Sequence, residues 1–247
     1  MPLSSESRPS SWDSLPAGET IKRELESKLA YWWPRVFGYH LLRLGALSRE
    51  LEIKNCPVWH QFSLFPDKGA SIVADFASLP LAPASIDAVV MNLVLEFEAD
   101  PYRILREADR VLVSGGYLFI VGINPFSCAF FGKLLPRFQQ ALPWSGQFFM
   151  PARVKDWLGL LGYQLVHDER LLYHSLLSEA APLRIWHHWQ QKWLPGTGSL
   201  YLLVARKLDS PLTPLGDKRR QRIPGWQPTP TPGFSGRQLE RHTKEEQ

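Results

Sequence analysis

The sequence predicts an α/β fold: a mostly parallel, open sheet with helices on both faces and a closing antiparallel strand pair. Three observations carry this. Short runs rich in branched and aromatic residues recur between turn signals, as in YHLLRL (39–44), VWHQF (58–62), SIVAD (71–75), IDAVVMN (86–92) and YLFIVGI (117–123). Several are apolar at successive positions rather than alternating, the mark of strands covered on both faces. Helical patterns lie between and beyond them, and strands alternating with helices make a layered sheet.

Residues 1–18 read as a disordered, Ser- and Pro-rich leader. In ETIKRELESKLAYWW (19–33) Ile21, Leu25, Leu29 and Trp32 fall at helical spacing, and Pro34 stops the helix. Strand one, 39–44, runs into Gly45-Ala46-Leu47-Ser48. Only about thirteen residues separate it from strand two, so the intervening helix is short or missing. Between strands four and five Asp100 is a good N-cap, Pro101 suits the first helical position, and Ile104, Leu105, Ala108, Val111 and Leu112 form one apolar stripe. Ser114, Gly115 and Gly116 then turn the chain into strand five.

Residues 124–150 are aromatic and interrupted by Pro and Gly, which predicts a covering insertion. A helix over 151–161 follows, and YQLVHDERLLYH (163–174) with SLYLLVARK (199–207) reads as the antiparallel pair. The Trp- and His-rich segment RIWHHWQQKWLPG lies between them.

Composition narrows the function classes. From Arg206 to Gln247 there are nine Lys or Arg and five Asp or Glu, so the whole formal charge of +4 sits in this tail and residues 1–205 are neutral. A basic face on the folded body is therefore not implied. The tail, 207–247, has six prolines among the forty-two residues from Arg206 and reads as disordered. It is either a solubilising extension or a weak electrostatic contact for RNA, DNA or an acidic membrane face. The N-terminus has no apolar run, and no stretch reaches the roughly 20 residues a membrane span needs. The expectation is a soluble, cytoplasmic domain over 19–206. His187 and His188 have no Cys or acid cluster at ligand spacing, and no metal is assigned.

Residues 79–122, LPLAPASIDAVVMNLVLEFEADPYRILREADRVLVSGGYLFIVG, resemble the second half of the S-adenosylmethionine-dependent class I methyltransferases, in the group called methyltransferase type 11. The pieces stand in the family's order: acidic Asp75 ending a strand, LPLAPASIDAVV, VLEF before an acidic Pro step, LREADRVL as helix, and SGGYLFI as the fifth strand. DWLGLLGYQLV (156–166) is similar to its late helix and sixth strand. The likeness extends over about 38–206, and the NPFS step resembles that of small, uncharacterised bacterial members. It implies a Rossmann-like sheet, S-adenosyl-L-methionine as cofactor and an unidentified methyl acceptor. Two features depart from the pattern: one glycine stands where two or three are usual, and strand two offers Gln61 and Ser63 where an acid would hold the ribose, with Asp67 too far along.

Ligands of open α/β sheets bind beyond the carboxyl ends of the strands. The resemblance therefore implies cofactor contacts at Gly45 (close backbone approach), Asp75 and Phe76 (adenine), and Asn92 and Leu93 (near the methionine ammonium). Each also has a plain reading as turn, cap or solvated loop. Glu96 reads as a surface carboxylate, or as a base or orienting group in the substrate pocket, and His40 is a second guess at a base. Asn124 is placed at the acceptor pocket. The aromatic set Phe126, Phe130, Phe131, Trp144, Phe148 and Phe149 makes either a lid or the satellite core of an insertion. Trp186, Trp189 and Trp193 either pack on the sheet or stack nucleobases. A methyltransferase-fold protein without catalysis, acting as a binding or scaffold module, is the alternative to an enzyme.

Overall fold

The computed structural model describes residues 8–127, 141–172 and 197–208. The Trp- and His-rich segment, Phe130, Phe131, Cys128 and the tail beyond 208 lie outside them. Seven strands form one sheet: β1 His40–Leu44, β2 His60–Phe65, β3 Ile72–Val73, β4 Ile86–Asn92, β5 Leu112–Ile123, β6 Tyr163–Leu171 and β7 Leu200–Lys207. Their order is β3-β2-β1-β4-β5-β7-β6. Strands β1 to β5 pair in parallel, and β7 runs antiparallel between β5 and β6. The order reverses between β1 and β4, which fixes where a ligand crevice can open.

Among the described residues four helices flank the sheet: α1 Gly18–Leu29, α2 Ala46–Glu50, α3 Pro101–Val111 and α4 Pro151–Leu160. Alternate residues of each buried strand feed two cores. On one face Ile21, Leu25 and Leu29 of α1 meet Leu41 and Val90; on the other Ile104, Leu105 and Ala108 of α3 and Val154 of α4 meet Leu42 and Val89. The apolar positions of α3 that the sequence shows are thus its inward stripe. Asp100 caps it, its carboxylate accepting from the Arg103 amide at 3.0 Å. Helix α2 is the short link expected between β1 and β2.

Two expectations are corrected. The strand after α3 begins at Leu112 rather than Tyr117. Ile86 pairs with Leu112 and Ala88 with Tyr117, so Ser114 to Gly116 form a bulge within β5, not a break before it. The disordered leader does not hold from residue 8 onward. Trp12 is fully buried, with Leu15 and Ala17 nearly so. The Trp12 indole donates to the Leu47 carbonyl at 3.1 Å and its amide to Glu50 at 3.1 Å. A single large aromatic can seat a polar segment because it buries 150–250 Å² in one place, or about 4–6 kcal/mol of hydrophobic stabilisation.

Candidate functional site

Every parallel strand points its carboxyl end at the same edge, and a hollow opens there above β1, β2 and β4. Gly45 ends β1 and caps α2 with φ +87°. A β-carbon on it would stand 2.9 Å from Val94 Cγ2, so both the backbone angle and the space select glycine. Asn92 ends β4, buried, with its amide and Nδ2 both donating to Ser48 Oγ of α2, at 3.0 and 3.1 Å. Asn92 lines the hollow, and its Oδ1 is buried with no hydrogen-bond partner. Buried acceptors are rarely left so. Leu93 follows with φ +50° and donates its amide to Val121 at 3.0 Å. Phe76 is buried and forms another wall.

Asp67 also lines the hollow. Strand β2 runs to Phe65, the last residue of VWHQFSLF, with Leu44 of β1 opposite Leu64. Asp67 stands two residues beyond the strand end and reaches the hollow's lining. Gln61 and Ser63 lie within the strand, Gln61 taking a bond from Arg43 and Ser63 exchanging bonds with Ser71. Asp75 does not line this hollow. It borders the adjoining cleft, its carboxylate accepting from Ala77 N at 3.0 Å.

The proposed acceptor-side residues sit differently. Glu96 is not on the surface: it is 1% exposed, its Oε1 takes the Ile123 amide at 3.1 Å, and Oε2 has no partner. Burial pushes its carboxyl up to about 7 against the two backbone amides that favour the anion. Glycine at 122 makes room for this, since a β-carbon there would be 2.2 Å from the Tyr201 hydroxyl and 2.6 Å from Glu96 Oε1. Asn124 is also buried and spends its side chain on the chain itself, Nδ2 donating to Gly198 and Oδ1 accepting from Phe126 N. It ties β5 to the start of β7. Trp144 and Phe149 belong to the two cores and Phe126 is exposed, so among the described residues the aromatic set is satellite core and not a lid. His40 opens β1 at the opposite edge, its Nδ1 2.9 Å from that of His60, too far round the sheet to act as a base here.

The sequence matches the family described as "Methyltransferase domain" over residues 56–120. It is 36% identical over 206 residues to the "Uncharacterized protein YafS" of Escherichia coli K12, covering 83% of each chain. The chain belongs to the methyltransferase type 11 family. It is thereby a member of the S-adenosylmethionine-dependent class I methyltransferases. Solved structures share the fold at lower identity. A methyltransferase from Archaeoglobus fulgidus aligns with a TM-score of 0.52 at 14% identity, covering 75% of this chain and 94% of that one. The [4+2]-cyclase SpnF aligns with a TM-score of 0.54 at 17% identity, covering 77% and 83%. Among the described residues of this family member, no helix is long and apolar enough to cross a membrane.

The residues at the edge fit the family's cofactor in kind: a glycine that admits backbone, an orphaned amide oxygen, an acid beyond β2 and an aromatic wall. The hollow itself is narrow, with about 30 Å³ of room, enough for a couple of water molecules, and it shares Arg8, Pro66 and Glu98 with the adjoining cleft. Arg8 and Pro9 lie along the same hollow and account for part of its lining.

Proposed function

We propose that the chain is a methyltransferase that binds S-adenosyl-L-methionine at the carboxyl edge of β1, β2 and β4 and passes its methyl group to an unidentified acceptor. The cofactor supplies an activated methyl on a sulfonium, so the protein's work is alignment and exclusion of water. Gly45 lets the backbone approach the amino-acid moiety, with Leu93 beside it. Asn92 Oδ1 accepts from the ammonium, Asp67 accepts from the ribose hydroxyls, and Phe76 covers the adenine with Asp75 at its far side. Val94 and Phe97 keep the hollow apolar. The titratable groups lining it among the described residues are Arg8, Asp67 and Glu98. No general base is assigned, and Glu96 and Asn124 shape the acceptor side from behind. The domain is taken to run from residue 8 to 207, with the tail as a separate segment.

The observation that carries this reading is that Asn92, lining a hollow at the strand-order reversal, holds a buried Oδ1 with no hydrogen-bond partner. The test is thermal unfolding with S-adenosylmethionine or its demethylated product. At a hundredfold excess over the dissociation constant either form adds about 2.7 kcal/mol, and Asp67→Asn loses most of that gain. Equal melting with and without both forms refutes the reading. A non-catalytic role remains the second reading, favoured by the lone glycine and the narrow hollow; a shared fold does not fix a reaction, as the cyclase SpnF shows.

A further inference from the structure

The hollow is partly filled from the chain itself. Arg8 Nε stands 2.6 Å from Glu98 Oε1, the side chains only 17% and 12% exposed. Its guanidinium carbon lies 5.9 Å from the centre of the Phe76 ring. Arg8 and Glu98 line both the hollow and the adjoining cleft, which Asp75 borders as well. Pro9 is buried beside them. Four residues on, Trp12 is sealed against α2 by its two hydrogen bonds. Arg8 is thus held over the site from an anchor on the helix that Gly45 begins.

Desolvating two charges costs several kcal/mol per ion, and removing one partner leaves the other stranded. Burial holds the Glu98 carboxyl above its ordinary range, Arg8 opposes that shift, and Asp75 adds to it. With Arg8 withdrawn, Glu98 faces the hollow walled by Phe76 on one side and, on the other, the adjoining cleft of about 390 Å³ that Asp75, Asp100 and Arg103 also border. A carboxylate beside a flat wall suits a planar, neutral heterocycle carrying an exocyclic amine, because the acceptor can take one of the amine's hydrogens while the ring packs on the plate. A 6-oxo ring would instead turn an oxygen toward an anion, leaving both without a donor.

We propose that Arg8 is a built-in competitor for the adenine end of the cofactor site, and that Glu98 is the residue that selects adenine there. In the free protein the guanidinium holds the Glu98–Phe76 subsite; on binding, the Arg8–Glu98 ion pair is exchanged for a hydrogen bond from the adenine amine to Glu98. Affinity is then reduced by the fraction of molecules in which Arg8 is in place. This inference rests on the proposed methyltransferase reading.

Calorimetric titration of the full chain with S-adenosylhomocysteine, adenosine and inosine tests it, on wild type, Arg8→Ala, Glu98→Gln and the double variant Arg8→Ala/Glu98→Gln, which strands no charge. Arg8→Ala is expected to bind S-adenosylhomocysteine and adenosine about tenfold tighter, as when the covered form outnumbers the open one about ten to one. Glu98→Gln, whose amide can donate to a 6-oxo group, is expected to narrow the preference for adenosine over inosine about tenfold, and the double variant to show the same narrowing. Arg8→Ala binding no tighter than wild type, or glutamine at 98 leaving the preference intact, overturns the inference while the methyltransferase reading stands. No heat from S-adenosylhomocysteine in any of the four proteins overturns both.

Discussion

From β4 to β7 the chain carries strands of seven, twelve, nine and eight residues and two helices of eleven and ten. From β1 to β3 the strands are five, six and two residues long and share one five-residue helix. The long half is held by ladder hydrogen bonds and by the apolar stripes of α3 and α4. The short half buries too little helix for that and is braced by polar ties. Ser48 of α2 receives both Asn92 donors, Arg43 donates to the Arg49 and Leu51 carbonyls, and Trp12 donates to Leu47. The candidate site lies on the braced half. The candidate site thus lies where the structure depends most on a segment outside the sheet, the segment that also carries Arg8 to the hollow.

The largest expected effect sharpens this contrast. Trp12→Ala removes a fully buried indole and is expected to cost about 3–5 kcal/mol by denaturant titration, with loss of the stabilisation given by the cofactor. Leu105→Ala, on α3 and equally buried, is expected to cost about 2–5 kcal/mol while leaving that stabilisation in place. If both variants lose it alike, the two halves are not independent and the contrast fails.

A second prediction concerns the seam between the halves. Glu96 has a folded pKa of about 7 against an ordinary 4.5. Between those values the native state keeps a proton that the unfolded chain releases, so its contribution is fully present below about pH 4.5 and is lost as pH rises to 7. The loss is on the order of 3 kcal/mol. Glu96→Gln is expected to flatten that part of the stability–pH curve and to be more stable than wild type at pH 8. An unchanged slope would place the carboxylate in contact with solvent.

The smallest effect belongs to the long half. Asp100→Ala deletes one cap and is expected to cost about 1 kcal/mol, readable as a shift in denaturant midpoint with no change in cofactor affinity. A loss of affinity would show that α3 communicates with the site.

The long half was the legible one. Strand β4 spans the residues its apolar run marks, and α3 lies between its cap and the bulge, because burial on both faces and an Asp-Pro start leave unambiguous traces. The short half was read less well for identifiable reasons. Ser63 interrupts the apolar run of β2, yet it faces Ser71 inside the sheet, so the strand continues and delivers Asp67 to the hollow. Glu96 read as a surface group because nothing local marks a carboxylate as buried; glycine at 122 and the Tyr201 hydroxyl that crowd it lie far along the chain. Arg8 and Trp12 sit in Ser- and Pro-rich sequence whose composition describes loops in general. Only the tryptophan itself hinted at an anchor.

The most direct test of the central claim is calorimetric titration of the full chain with S-adenosylmethionine, alongside Asp67→Asn. The account predicts a saturable, one-to-one heat in wild type that weakens severely in the variant. An absence of heat at millimolar cofactor, with Arg8→Ala equally silent, would show that the edge of β1, β2 and β4 does not hold an adenosyl group.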